Sequence, residues 1–162
     1  MTSIRPDGSG QILIALGANL AGPFGPPLST LRDALAALEK QGVSMLRVSA
    51  FYETRAWPDP SEPPFVNAVA KARTSLQPFA LLTLLHQVET SCGRTRSAPN
   101  AARSLDLDLL DYDGRVEQGP PILPHPRIAE RRFVLEPLAE IAPGWRHPVS
   151  GRTARELLAA LG

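Results

Sequence analysis

The stretch RSLDLDLLDYDG, residues 103–114, constrains the fold more than any other part of the chain. Leu105, Leu107 and Leu109 alternate with Asp106 and Asp108. On a strand, residues two apart point the same way and lie roughly 7 Å apart along the chain. The segment therefore reads as a strand that ends in an Asp113-Gly114 turn. Its leucines face helices and its two carboxylates share the opposite face. Burying two carboxylates side by side is unfavourable unless cationic groups meet them. Such a pair suits a hard cation such as Mg²⁺, which completes its shell with water and phosphate oxygens. A half-solvated sheet face shows the same alternation, and the DLD pattern by itself favours that plainer reading.

The remaining segments supply the partners that this strand needs. QILIALG reads as a first strand, stopped by Gly17. Residues 28–40 place Leu28, Leu31, Leu35 and Leu38 on one helical face, and Gly42 ends the helix. SMLRVSAFYET and FVNAVAKART are rich in strand formers, and the segment between them is too long for a tight hairpin. Pro78 opens a second amphipathic helix, PFALLTLLHQVETSCG. After a proline-rich loop come FVLEPLAEIAP and a short helix over 153–161. The order predicts an α+β, ferredoxin-like βαββαβ fold. It would have an antiparallel sheet, helices on one face and a C-terminal extension. Residues 1–10 read as a flexible tail and 11–162 as a single domain.

Composition narrows the function classes. A net charge of +1 provides no broad pull toward nucleic acid or an anionic membrane, so any attraction for an anion is local. The single cysteine, Cys92, excludes an internal disulfide and fits a reducing cytoplasm. No apolar run reaches membrane-spanning length. The 17 prolines cluster in AGPFGPP, WPDPSEPP and GPPILPHP, which marks shaped loops of the kind that carry function.

Basic segments flank the acidic strand. Arg94, Arg96 and Arg103 precede it, and His125, Arg127, Arg131 and Arg132 follow. Carboxylates that hold a metal, with guanidinium groups beside them for the remaining phosphate oxygens, are the layout of a Mg²⁺–polyphosphate site. Arg127 and Arg132 read as solvated surface charges, and a lone His125 as structural or exposed. No Walker A loop, kinase-type Gly-rich loop or Gly-rich dinucleotide fingerprint is present.

With RSLDLDLL stand ALGANL, SAFYET, FVNAV, VETSCGRTR and LPHPRIAERRFVLEPLAEIAP, in this order. From residue 12 onward the chain resembles the 6-hydroxymethyl-7,8-dihydropterin pyrophosphokinase family. The resemblance implies transfer of pyrophosphate from ATP to the pterin hydroxymethyl oxygen with release of AMP, in folate biosynthesis. It implies that Asp106 and Asp108 hold two Mg²⁺ ions. It implies that Arg94 and Arg96 act with them in catalysis, on a segment over 93–102 that closes on the substrates. His86, Glu89, Arg94, Arg96, Arg103, His125 and Arg131 match nucleotide and phosphate contacts. Thr54, Trp57, Phe65, Asn67, Asp106 and Phe133 match the pterin pocket. Two aromatic rings can sandwich a flat pterin while Asn67 reads its amide-like edge. Without the resemblance, Phe65 and Phe133 read as core packing. A cytoplasmic monomer that binds neither nucleic acid nor membrane is expected. An RNA-binding module and a Mg²⁺ nuclease are the alternatives. The first would present aromatic and basic residues on an open sheet, and the second a broad basic footprint.

Overall fold

The first strand is apolar without a break from Ile12 to Leu16, so it has to be covered on both faces. The computed structural model describes residues 10–19, 26–54, 64–92 and 105–162. It places this segment as β1, Gly10–Ala18, inside a five-stranded antiparallel sheet. Ile12, Ile14 and Leu16 enter one core, and Leu13 and Ala15 enter another.

The first core lies under α1, Pro27–Lys40, and α2, Pro78–Ser91. Leu31, Ala34 and Leu38 of α1 and Leu81, Leu85 and Val88 of α2 are buried there. Each helix begins on a proline, whose missing N–H costs nothing in a first turn. Gly42, at φ 91°, makes the left-handed turn from α1 into β2, Val43–Val48.

The sequence predicts helices on one face only, and here the structure differs. In chain order follow β3, Tyr52–Thr54; β4, Phe65–Thr74; β5, Asp106–Tyr112; a short hairpin of β6, Glu117–Gln118, with β7, Ile122–Leu123; α3, Arg132–Ile141; and α4, Ala154–Ala160. Helices α3 and α4 cover the second face, where Val134, Leu135, Leu138 and Leu157 pack with Leu13, Ala15, Val69 and Leu110. The C-terminal extension is thus a second layer over the sheet. Consecutive apolar residues from Ile12 to Leu16 of β1 require one.

The sheet order is β2-β4-β1-β5, with β3 also paired to β4. The sequence predicts one strand over SMLRVSAFYET, and the structure breaks it into β2 and β3. At the break, Ser49 N–H donates to Val69 O (2.9 Å) and Ser49 Oγ accepts from Val69 N–H (3.0 Å). A side-chain oxygen thus takes an acceptor's place beside the ladder. The next residues are held by α3: Glu140 accepts from Ala50 N–H (3.0 Å) and from the Tyr52 hydroxyl. With β2 and β3 counted as one broken edge, two βαβ units interleave, with β1 and β4 between the flanking strands.

The hydrogen bond to Glu140, followed by burial and the carboxylate's charge, pushes the Tyr52 phenol up to about 12. A folded-state value above the unfolded one, about 10, adds stability that is complete below that pH. The contribution is lost as pH rises from about 10 through about 12. Ultraviolet titration of phenolate should show Tyr52 ionising late, and Glu140→Gln should move that step back toward 10. An unchanged titration in the variant would mean that Glu140 does not hold the phenol.

Candidate active site

Strand β5 forms the outer edge of the sheet, and its register explains where the aspartates go. Leu109 pairs with Ile14 and Asp111 with Leu13, while Leu110 is skipped in a β-bulge. Before the bulge, Leu107 and Leu109 enter the first core. Asp106 and Asp108 point to the second face, beyond the part that α3 and α4 cover. The bulge residue Leu110 turns its side chain into the second core, and its carbonyl accepts the His125 N–H at 2.9 Å. A bulge that re-aims side chains beside a site is a recurrent device. Here it docks the His125 loop next to Asp108.

The groups that meet Asp108 follow from this docking. Arg131, the residue before α3, places a guanidinium nitrogen 3.5 Å from Asp108 Oδ2. His125 Nε2 lies 3.9 Å from Asp108 Oδ1, beyond direct hydrogen-bond reach. Its Nδ1 accepts the Arg127 N–H, which leaves Nε2 to carry the proton of the neutral ring. Burial holds His125 below its usual pKa; Asp108 opposes this, and Arg131 and Arg127 add to it.

A cleft of about 420 Å³ runs along the β5 edge. It joins His86 and Glu89 of α2 with Asp106, Asp108, His125 and Arg131, so six of the residues predicted for nucleotide or metal share one cavity. Leu82, Leu107, Leu109, Pro121 and Ile122 supply apolar walls that the sequence reading missed. The available signal was the proline cluster GPPILPHP, which marked a shaped loop without saying what it would face. Glu89 is nearly fully buried, and its Oε2 accepts the Leu107 N–H at 2.7 Å. It therefore holds the outer edge of β5 against α2 as well as lining the cleft.

The residues predicted for the pterin pocket gather on the second face. Cross-strand pairing puts Tyr52, Asn67, Gly17 and Asp106 in one row. Asn67 and Asp106 are two strand spacings apart, about 9.5 Å. Phe65 lies two residues from Asn67 on the same face and pairs with Thr54, the end of β3. Phe133, in the first turn of α3, is 41% exposed, and the Arg131 guanidinium lies 5.6 Å from its ring centre. Among the described residues, neither phenylalanine belongs to a core cluster. Trp57, Arg94, Arg96 and Arg103, and the closing segment over 93–102, lie outside the described residues.

Hard carboxylate oxygens on a rigid strand, in a cleft with basic groups alongside, fit Mg²⁺. Among the described residues no group of three or more His, Cys, Asp or Glu side chains could hold a metal by itself. An ion on Asp106 and Asp108 would draw the rest of its shell from water and phosphate. Nor, among the described residues, is any helix long and apolar enough to cross a membrane.

The chain is similar to known proteins along most of its length. The family model described as 7,8-dihydro-6-hydroxymethylpterin-pyrophosphokinase matches residues 13–143. A 2-amino-4-hydroxy-6-hydroxymethyldihydropteridine pyrophosphokinase from Synechocystis is 39% identical over 98% of this chain and 82% of its own length. The Bacillus subtilis protein of the same name is 42% identical over 79% of this chain and 75% of its own. Among solved structures, HPPK-DHPS of Plasmodium falciparum with pteroate superposes with a TM-score of 0.74 at 13% identity, which speaks for the fold alone. That match covers 94% of this chain and 44% of the longer one.

Glu89→Ala should lower stability by about 1–3 kcal/mol, because the buried Leu107 N–H loses its acceptor. Glu89→Gln keeps a carbonyl oxygen there and should retain most of that stability. Urea unfolding of both variants decides it; equal losses would mean that the hydrogen bond is not what Glu89 contributes.

Proposed function

We infer the reaction from one premise: the chain belongs to the 7,8-dihydro-6-hydroxymethylpterin-pyrophosphokinase family. It is an ATP-dependent pyrophosphokinase of folate biosynthesis, and its acceptor is the hydroxymethyl group of 6-hydroxymethyl-7,8-dihydropterin. A bond forms between the hydroxymethyl oxygen and the β-phosphorus. The bond from that phosphorus to the oxygen of the α-phosphate breaks, AMP leaves, and the hydroxyl proton passes to solvent.

The division of the site is our proposal. ATP lies in the cleft along β5, its phosphates toward Arg131 and His125 and its base among Leu82, Leu109 and Ile122. The pterin lies on the sheet face between Phe65 and Phe133, with Asn67 at its polar edge. The observation that carries this reading is the position of Asp106, which both lines the cleft and shares the cross-strand row with Asn67. One carboxylate at the junction of two pockets can bring an acceptor oxygen and a phosphoryl group into line. Asp106 and Asp108 would hold two Mg²⁺ ions, whose contribution when bound is to neutralise charge on the phosphates in the transition state. The neutral His125 can donate a hydrogen bond from Nε2 to a phosphate oxygen, and the Arg131 fork can shift from Asp108 to the same group. Operation as a cytoplasmic monomer belongs to the same proposal. The single, buried thiol supports the reducing compartment.

Chromatography of the reaction products tests the chemistry: AMP should accumulate one-for-one with pyrophosphorylated pterin, and stoichiometric ADP would refute the reading. Asp106→Ala and Asp108→Ala should each lower turnover by about a hundredfold or more, because a lost metal ligand removes several kcal/mol of transition-state stabilisation. Both variants should melt near the parent temperature, since both side chains stand outside the two cores. Near-normal rates at saturating Mg²⁺ would remove the metal assignment. Phe65→Ala should weaken pterin binding much more than ATP binding by calorimetry. An equal loss for both ligands would instead indicate general loosening of the fold.

A further inference from the structure

We propose that Gly17 is a positioning residue for the pterin site: its missing side chain leaves the space in which the Asn67 amide lies across β1 on the Asp106 side of the sheet. The inference rests on the reading of Asn67 as a pterin contact. In the row across the sheet, Gly17 stands between Asn67 on β4 and Asp106 on β5. A Cβ at Gly17 would lie 2.7 Å from Asn67 Oδ1, far inside ordinary contact distance. The next nearest atoms, Asn67 Cγ and Val66 O, are both 3.8 Å away. The amide end of Asn67 therefore occupies the volume that any other residue at 17 would fill.

Backbone conformation does not explain this glycine. Gly17 is absent from the positive-φ positions and sits in regular antiparallel pairing on both sides, a geometry that alanine adopts freely. What glycine provides is the gap. Asn67 is only 7% exposed, so its amide is packed against β1 rather than free in solvent. An alanine at 17 would meet only the end of a rotatable side chain, so Asn67 would swing away while the sheet kept its register. The nucleotide side should be spared, because His86, Ile122, His125 and Arg131 lie off this row.

The test uses the full chain and three variants: Gly17→Ala, Asn67→Ala and the double substitution. Affinity for 6-hydroxymethylpterin is measured with a non-hydrolysable Mg²⁺–ATP analogue present, and affinity for that analogue is measured alone. Gly17→Ala should weaken pterin binding about tenfold, the loss of one well-placed hydrogen bond, and leave analogue binding within about twofold. Asn67→Ala should lose a similar amount. The double variant should bind no more weakly than Asn67→Ala, since Gly17→Ala acts only through the amide. The proposal is overturned if Gly17→Ala binds pterin normally while Asn67→Ala does not. It is also overturned if the two losses add fully, or if Gly17→Ala unfolds the protein and Asn67→Ala does not rescue it. If Asn67→Ala itself binds pterin normally, the assignment of the polar edge fails and takes this inference with it.

Discussion

The Asp108 side chain is about one-third exposed, and its charge is met by the Arg131 guanidinium, with the neutral His125 ring alongside. Bringing both groups there draws on much of the fold. Arg131 immediately precedes α3, and α3 is held in place by the second core through Val134, Leu135 and Leu138. His125 is docked by the Leu110 carbonyl, which is available because the bulge withdraws Leu110 from pairing with β1. The carboxylate pair on an outer strand thus depends on a helix on one side, a loop on the other and an irregularity in the strand itself. A cation bound by these carboxylates would compete with Arg131 for Asp108 and free its guanidinium for phosphate.

Strand β5 serves two faces at once. Its leucines anchor it in the core under α1 and α2, and Glu89 holds its backbone at Leu107. The aspartates are thereby carried on a rigid element, which fixes side chains better than a loop can. Asp106 stands where the β5 cleft meets the row that leads to Asn67. In the proposed reaction, the two ligands would approach from different sides of this strand.

The alternatives weighed on the sequence lose ground on physical features. An RNA-binding sheet of this type offers an open face bearing aromatic residues. Here α3 and α4 cover much of the second face, and α1 and α2 the first. A nuclease would use the carboxylates but also needs a broad basic surface, and a net charge of +1 gives no sign of one. The family match over residues 13–143 then favours pyrophosphoryl transfer over either alternative.

Residue periodicity by itself determined the long elements: the strand–helix order, the helices over 28–40 and from Pro78, and the separation of leucines from aspartates on β5. These are local consequences of period and of chain stops, so they can be read without knowing the partners. Tertiary structure decided what depends on long-range docking. The side that the C-terminal helices cover was set by the odd-numbered residues of β1, which form a core only when Val69, Leu110 and Leu135 join them. The break after Val48 depends on Ser49 meeting Val69 and on Glu140 reaching across from α3. The apolar cleft walls Leu82 and Ile122 carry no chemical mark, and become site residues only because α2 and the proline loop converge on β5. Gly17 read as a strand stop along the chain, yet it lies inside β1, where its missing side chain matters because the register places Asn67 and Asp106 on either side.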